Sequence, residues 1–439
     1  MLLKNIINKE TDDLPSNSTG RRLRIAFFDY PDVFEDFYSH YSVDQKTFAT
    51  TWHNTGSHEW LRIVQQEIGD ITWYALSLKP EIAETKHEYV NCTIKFIQSS
   101  WLHRKLWRWY YLSKNSWKWR NRYYGYYSFI ASYCSLFSSQ LIKEIRHDKP
   151  DLIFVQEYCN GRYDILLFIS WLLKIPIIAY HAGSTSENYT GKAFKSYSIP
   201  RADHIFPSGR KELERLTKEY KIPSNRLSII RPPVDTNIYK IISRDKACSR
   251  HNLDTSKKYI VFIGRLDDSI KRVSSIITIF KKISKNHSDA CLIIIGNGKD
   301  EGKLKQLASE LLPDKIIFTG WIENDIEKLY YLNSAECLVL ASRREGFPGV
   351  ISEAFACGIP VIASDVGTIS DLVIENKTGW LFPAFDDDTM GNKISWVLEH
   401  PAFIKSMRSS IREFAIDNIS KEAITRIMVE GFSSVKYRK

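Results

Sequence analysis

Apolar positions along the chain fall into two alternating patterns. Short continuous apolar runs at 22–28, 71–76, 151–155, 176–180, 259–263, 291–295, 315–322, 336–341 and 360–363 are of the kind found in strands covered on both faces. Between them lie stretches of helical period at 58–64, 128–146, 165–173, 209–220, 274–285, 326–332, 350–357, 390–399, 403–416 and 421–432. Strand–helix alternation in both halves predicts an α/β protein with two doubly wound, Rossmann-like domains. Residues 1–20 read as a mobile tail, 21–240 as a first domain and 258–415 as a second. The polar, charged stretch 239–258 reads as the linker.

Composition narrows the class. The 439 residues are too many for one ordinary core. Seven scattered cysteines without a CxxC pair argue against a disulfide framework or zinc site and for a reducing, cytoplasmic setting. Residues 1–20 contain no apolar run of signal-peptide length, and no window in the chain reaches membrane-span length. The net charge of +10 favours an anionic partner. Segment 101–127 concentrates that tendency, with seven Lys/Arg, eleven Trp/Tyr and no acid. It reads as an interfacial patch for an anionic membrane, peripheral on its inner face. The alternatives are a helical hairpin with its aromatics packed inward and a nucleic-acid surface; the partner expected is lipid, with no nucleic acid.

The candidate chemistry centres on 342–381. Glu345 and Glu353 bracket a turn containing Gly346, Phe347, Pro348 and Gly349, and Val350 and Ile351 open an apolar helix. A helix start with a glycine lead-in presents free N–H groups and the positive end of its dipole, which suits a phosphate or diphosphate. Upstream, the apolar run 259–263 ends in Gly264-Arg265-Leu266, followed by Lys271 and Arg272. Cations at a strand's carboxyl end suit an anionic ligand, Arg bidentately and Lys as a compact charge. The run 291–295 ends in Gly296-Asn297-Gly298, a turn for close backbone approach. Asp386-Asp387-Asp388 reads as an acid cluster at a helix N-terminus and not as a metal site.

From Glu345-Gly346-Phe347 through Glu353-Ala354, with Gly358-x-Pro360-Val361 behind, the chain resembles the E-x7-E signature of retaining glycosyltransferases of family 4. The resemblance implies the GT-B fold, with its two Rossmann-like domains facing across a cleft, a strand and turn at 227–235 closing the first domain, and a final helix, 416–435, returning to the first domain. It implies that Glu345 and the amides of Gly346 and Phe347 hold a donor sugar, and that Glu353 holds the ribose. Arg265 and Lys271 would grip the diphosphate, with Arg272 the alternative to Lys271. Gly264, Gly298, Trp321 and Ile322 would approach the nucleotide. In the first domain, Gly56 falls in the family's first loop, after a long insertion, and His181 at the end of the run 176–180 would meet the donor sugar. The implied reaction moves a sugar from a nucleotide-diphosphate sugar to an acceptor glycan or lipid, with no metal or other cofactor. The rivals are a nucleotide-sugar 2-epimerase of the same fold and a non-catalytic membrane-associated relative.

Overall fold

A computed structural model describes residues 21–38, 43–52, 56–112, 130–181 and 192–436. It divides into two units. One comprises the chain up to Ile230 together with the stretch from Thr425 onward; the other is Arg231–Ile424.

The first unit holds a seven-stranded sheet of β1 (Leu23–Phe28), β2 (Gly69–Ser77), β3 (Glu84–His87), β4 (Cys92–Gln98), β5 (Leu152–Gln156), β6 (Ile177–Tyr180) and β7 (His204–Phe206). The order is β3-β4-β2-β1-β5-β6-β7, parallel except for the edge strand β3. Four strands, β1, β2, β5 and β6, match expected apolar runs closely. Strands β3 and β4 were not foreseen: β4 alternates buried and half-buried positions and lacks the continuous apolar signature. The stretch 128–146 is not one helix. Phe137 and Ser138 interrupt it, and Ser138 Oγ caps the helix Ser139–Asp148. Phe432, from the helix Lys421–Ser433, packs on Phe154 and Phe206 in this unit.

The second unit holds a six-stranded, all-parallel sheet of β8 (Lys258–Ile263), β9 (Ala290–Ile295), β10 (Ile316–Gly320), β11 (Ala335–Leu340), β12 (Val361–Ser364) and β13 (Gly379–Phe382), ordered β10-β9-β8-β11-β12-β13. Its core is continuous from β8 through the helices Val273–Ile283, Gly349–Ala356 and Asp387–Glu399. The order reverses between β8 and β11, the place where open α/β sheets bind ligands beyond their strand ends.

Two expectations need correction. Residues 227–235 form no strand. Pro232 and Pro233 lack N–H groups, and the stretch makes only isolated bridges, Ile205 with Leu227 and Val234 with Ser420. The stretch 239–258 belongs to the second unit: it contains the helix Arg244–Arg250, and Tyr239 and Cys248 are buried in the core. Among the described residues, no helix is long and apolar enough to cross a membrane.

Candidate active site

The strand ends at the reversal are locked by glycines. After β8, Gly264 donates its N–H to Ile295 O at 3.0 Å, and Leu266 donates to Asn297 O at 2.7 Å. A Cβ on Gly296 would sit 1.9 Å from Gly264 O, and one on Gly298 2.6 Å from Leu266 O. Only glycine lets these two loops meet, and Arg265 stands between the residues so clamped, with its side chain exposed.

The turn Asp267–Lys271 is held by Lys271 N–H to Asp267 O at 2.8 Å and by Asp268, which accepts from Ser274 N at 2.8 Å. Arg272 then adopts φ +52°. That left-handed residue separates the fates of two adjacent cations. Lys271 pairs with Glu345, whose Oε1 also accepts from Ser342 Oγ at 2.6 Å. Arg272 pairs with Asp387 at 2.8 Å, bonds Ser275 Oγ at 3.0 Å and lies over the Phe385 ring. Of the two candidate diphosphate cations, only Lys271 joins the Glu345 cluster.

Behind Glu345, Gly367 sits at φ +60°, where a Cβ would fall 1.9 Å from Glu345 O, and Thr368 Oγ1 donates to Gly346 O at 2.6 Å. Ser342, Gly367 and Thr368 therefore fix the acid's backbone and side chain. No side chain caps the helix Gly349–Ala356, whose entry residue Pro348 is extended at ψ 103°. Its first amides thus lack the usual side-chain acceptor.

One turn into that helix, Glu353 meets Lys328 at 3.5 Å, and Lys328 meets Asp325 at 2.7 Å. Burial pushes the Glu353 carboxyl up against the opposing pull of Lys328 and the Tyr239 hydroxyl. Trp321 is exposed and Ile322 half-buried, both just beyond β10, whose Gly320 turns at φ +75°. The aspartates at 386–388 are engaged locally. Asp386 caps its helix through Thr389, Asp387 holds Arg272 and Asp388 holds Lys282.

In the first unit, His181 follows β6, donates its N–H to Phe206 O at 3.0 Å and places Nδ1 2.8 Å from Ser208 Oγ. Its ring stacks on Tyr158 at 5.3 Å. Glu157, Cys159 and His181 bring ligand-type atoms within 4.8 Å of one another, the one such grouping among the described residues. Gly56 is the residue preceding the helix Ser57–Ile63. Segment 113–127 lies outside the described residues; its neighbour, the helix Trp101–Leu112, exposes Trp101, with Lys105 over the ring at 5.1 Å.

Sequence reasoning missed Ser342, Thr368, Tyr239, Lys328 and Ser208. Each supports a candidate residue through a single side chain, and a lone Ser, Tyr or Lys carries no signal in a sequence.

Two Rossmann-like units with glycine-clamped strand ends define the GT-B fold class. Solved structures agree: Anabaena HepE in complex with UDP superposes with TM-score 0.66 at 15% identity, over 94% of this chain and 100% of that one. Residues 243–417 match the family of glycosyl transferases group 1. Among relatives, N-acetyl-alpha-D-glucosaminyl L-malate synthase of Bacillus anthracis is 25% identical over 47% of this chain and 54% of its own length. Phosphatidyl-myo-inositol mannosyltransferase of Mycobacterium leprae is 26% identical over 52% of this chain and 60% of its own. The chain thus spans little more than half the length of the relatives it matches.

Proposed function

We propose that this protein is a retaining, family 4 type glycosyltransferase that moves a sugar from a nucleotide-diphosphate sugar to an acceptor glycan or lipid. The observation that carries the reading is the Lys271–Glu345–Ser342 cluster beside an uncapped helix start, at the point where the strand order reverses. Arg265, Lys271 and the amides from Gly349 would stabilise the leaving diphosphate, which gains negative charge as the glycosidic bond breaks. Glu345 would hold sugar hydroxyls, with the Gly346 and Phe347 backbone. Glu353 would hold the ribose, and His181 would orient the sugar. The leaving phosphate oxygen would take the acceptor proton on the same face, so no protein nucleophile or metal is assigned a step. The names of the relatives support sugar transfer as the reaction class and lipid-linked acceptors as one acceptor class.

A thermal-shift screen across nucleotide sugars tests the donor, because a ligand bound only by the folded state raises its melting point. Product analysis with donor alone tests the epimerase alternative, which would convert donor without acceptor. If Arg265→Ala and Glu345→Ala transfer sugar at the wild-type rate, the site assignment is wrong. The exposed Trp101 and Leu102 and the basic residues beyond them support peripheral attachment to the inner face of an anionic membrane. Co-sedimentation with anionic vesicles at low salt tests it, and no binding removes it.

A further inference from the structure

The residues around Glu353 form a network that its proposed role does not require. Lys328 lies on the helix Asp325–Ser334, one turn after Asp325, with its side chain only 13% exposed. Its Nζ is 2.7 Å from Asp325 Oδ1, 3.5 Å from Glu353 Oε1 and 5.7 Å from the centre of the Tyr239 ring. Tyr239 is buried and donates its hydroxyl to the same Asp325 Oδ1 at 2.8 Å. The ammonium is thus pinned from two sides before it meets Glu353. A flexible four-carbon stem normally gives up much of its entropy to make one ion pair; here Asp325 and Tyr239 have already fixed it.

We propose that Lys328 is a positioning residue for the donor: it clamps the Glu353 carboxylate in the orientation that accepts the ribose hydroxyls. The inference rests on the ribose role given to Glu353 above. Without the cation, Glu353 faces Asp325, a like charge, in a largely desolvated place. A carboxyl in that position favours its protonated form, which presents one acceptor fewer to the hydroxyls and is free to turn away. The loss falls on the ribose contacts, while the diphosphate contacts at Arg265 and Lys271 belong to other loops. Lys328 therefore governs discrimination between ribose and deoxyribose more than total nucleotide affinity.

Titration calorimetry of the full chain with UDP, GDP and ADP and their 2′-deoxy counterparts tests this without knowledge of sugar or acceptor. Wild type binds its preferred ribonucleotide about tenfold or more tighter than the deoxy form, since a site built around a hydroxyl is left with an unpaired group by its absence. Lys328→Met brings that ratio close to one, and Lys328→Arg restores it. Tyr239→Phe, which removes a single hydroxyl, lowers the ratio part of the way and serves should Lys328→Met not fold. A merely structural lesion would weaken both nucleotides equally. An unchanged ratio in Lys328→Met, or no rescue by Lys328→Arg, overturns the inference while leaving the donor reading standing; a wild type that does not discriminate removes the ribose role of Glu353 and the inference with it. A wild type that binds none of the nucleotides overturns the donor reading and this inference with it.

Discussion

Two glycines four residues apart should respond in opposite directions to the same added methyl group. A Cβ on Gly298 would lie 2.6, 2.7 and 2.8 Å from the O, C and N of Leu266. All three atoms are backbone, and the backbone cannot yield cheaply. Leu266 N–H is bonded to Asn297 O at 2.7 Å, and its carbonyl accepts from Asp300 N at 3.1 Å. Gly298→Ala must therefore spread the two loops, at about 1–3 kcal/mol, the usual range for overpacking. Gly302, in the helix Glu301–Leu311, has nothing within 4 Å of its missing Cβ. Gly302→Ala should stabilise by about 0.5–1 kcal/mol through helix propensity and a less free unfolded chain. For a domain of this size each kcal/mol moves the midpoint by about 2–4 °C. The assay is calorimetric melting, following the transition that nucleoside diphosphate shifts upward. Because Arg265 precedes Leu266, Gly298→Ala should also weaken nucleoside diphosphate binding, and Gly302→Ala should not. A Gly298→Ala protein that melts and binds like wild type would show that the loops do not approach as described.

Lys271→Met should cut sugar transfer by about 100-fold, the scale for loss of one group that stabilises transition-state charge. Arg272→Met, which breaks the pair with Asp387, should leave the rate near wild type and lower the melting point instead; equal losses of rate in both would refute the division of labour. Two groups of the first unit contribute to its acid sensitivity in separate pH ranges. Burial alone would raise the Asp151 carboxyl, but hydrogen bonds from the Arg24 side chain and backbone outweigh it and hold it below 3.8. Its contribution is whole above pH 3.8 and fades as pH falls below that. Burial depresses His204 to about 4 from 6.5, so the unfolded chain takes up that proton first and stability declines as pH falls from 6.5 towards 4. Denaturation across pH should show the upper slope shrink in His204→Gln, His103 keeping a share of it, and the lower one shrink in Asp151→Asn; unchanged slopes refute the assignments.

The second unit was legible because its chemistry and its packing use the same signals. Strands β8, β9, β11 and β12 are buried on both faces and read as continuous apolar runs. Their ends carry glycines that the close approach of other backbone demands, so Gly264, Gly296 and Gly298 were visible as punctuation. Strands β13 and β3 escaped for the converse reason: β13 has four residues, and β3 carries two exposed charges. The helix Glu301–Leu311 also passed unnoticed, since it buries only Leu304 and Ala308. In the first unit, Arg162 is fully buried, with its charge facing Asp29, Asp32 and Asp36, and burial raises Asp32 to about 7. An ion cluster assembled from β1's following loop and a helix start 130 residues later leaves no local pattern to read.

The glycines around the candidate site divide into two physical classes, and the division itself predicts function. Gly296, Gly298, Gly358, Gly367 and Gly379 would each drive a Cβ into backbone at 2.6 Å or less, so packing alone accounts for them. Gly346 and Gly349 would meet nothing within 4 Å, and neither has a positive φ. Neither packing nor backbone conformation requires a glycine there; an approaching donor would. Gly349→Ala and Gly346→Ala should therefore melt at or slightly above the wild-type temperature, by up to about 1 kcal/mol of added stability. Both should nonetheless bind nucleotide sugar at least about tenfold more weakly, because the methyl group occupies the space from which the amides are reached. Gly302→Ala is the matched control, with the same open surroundings and no proposed ligand contact. If Gly346→Ala and Gly349→Ala bind donor as well as Gly302→Ala does, the donor does not approach this turn, and the amides at the helix start serve some other end.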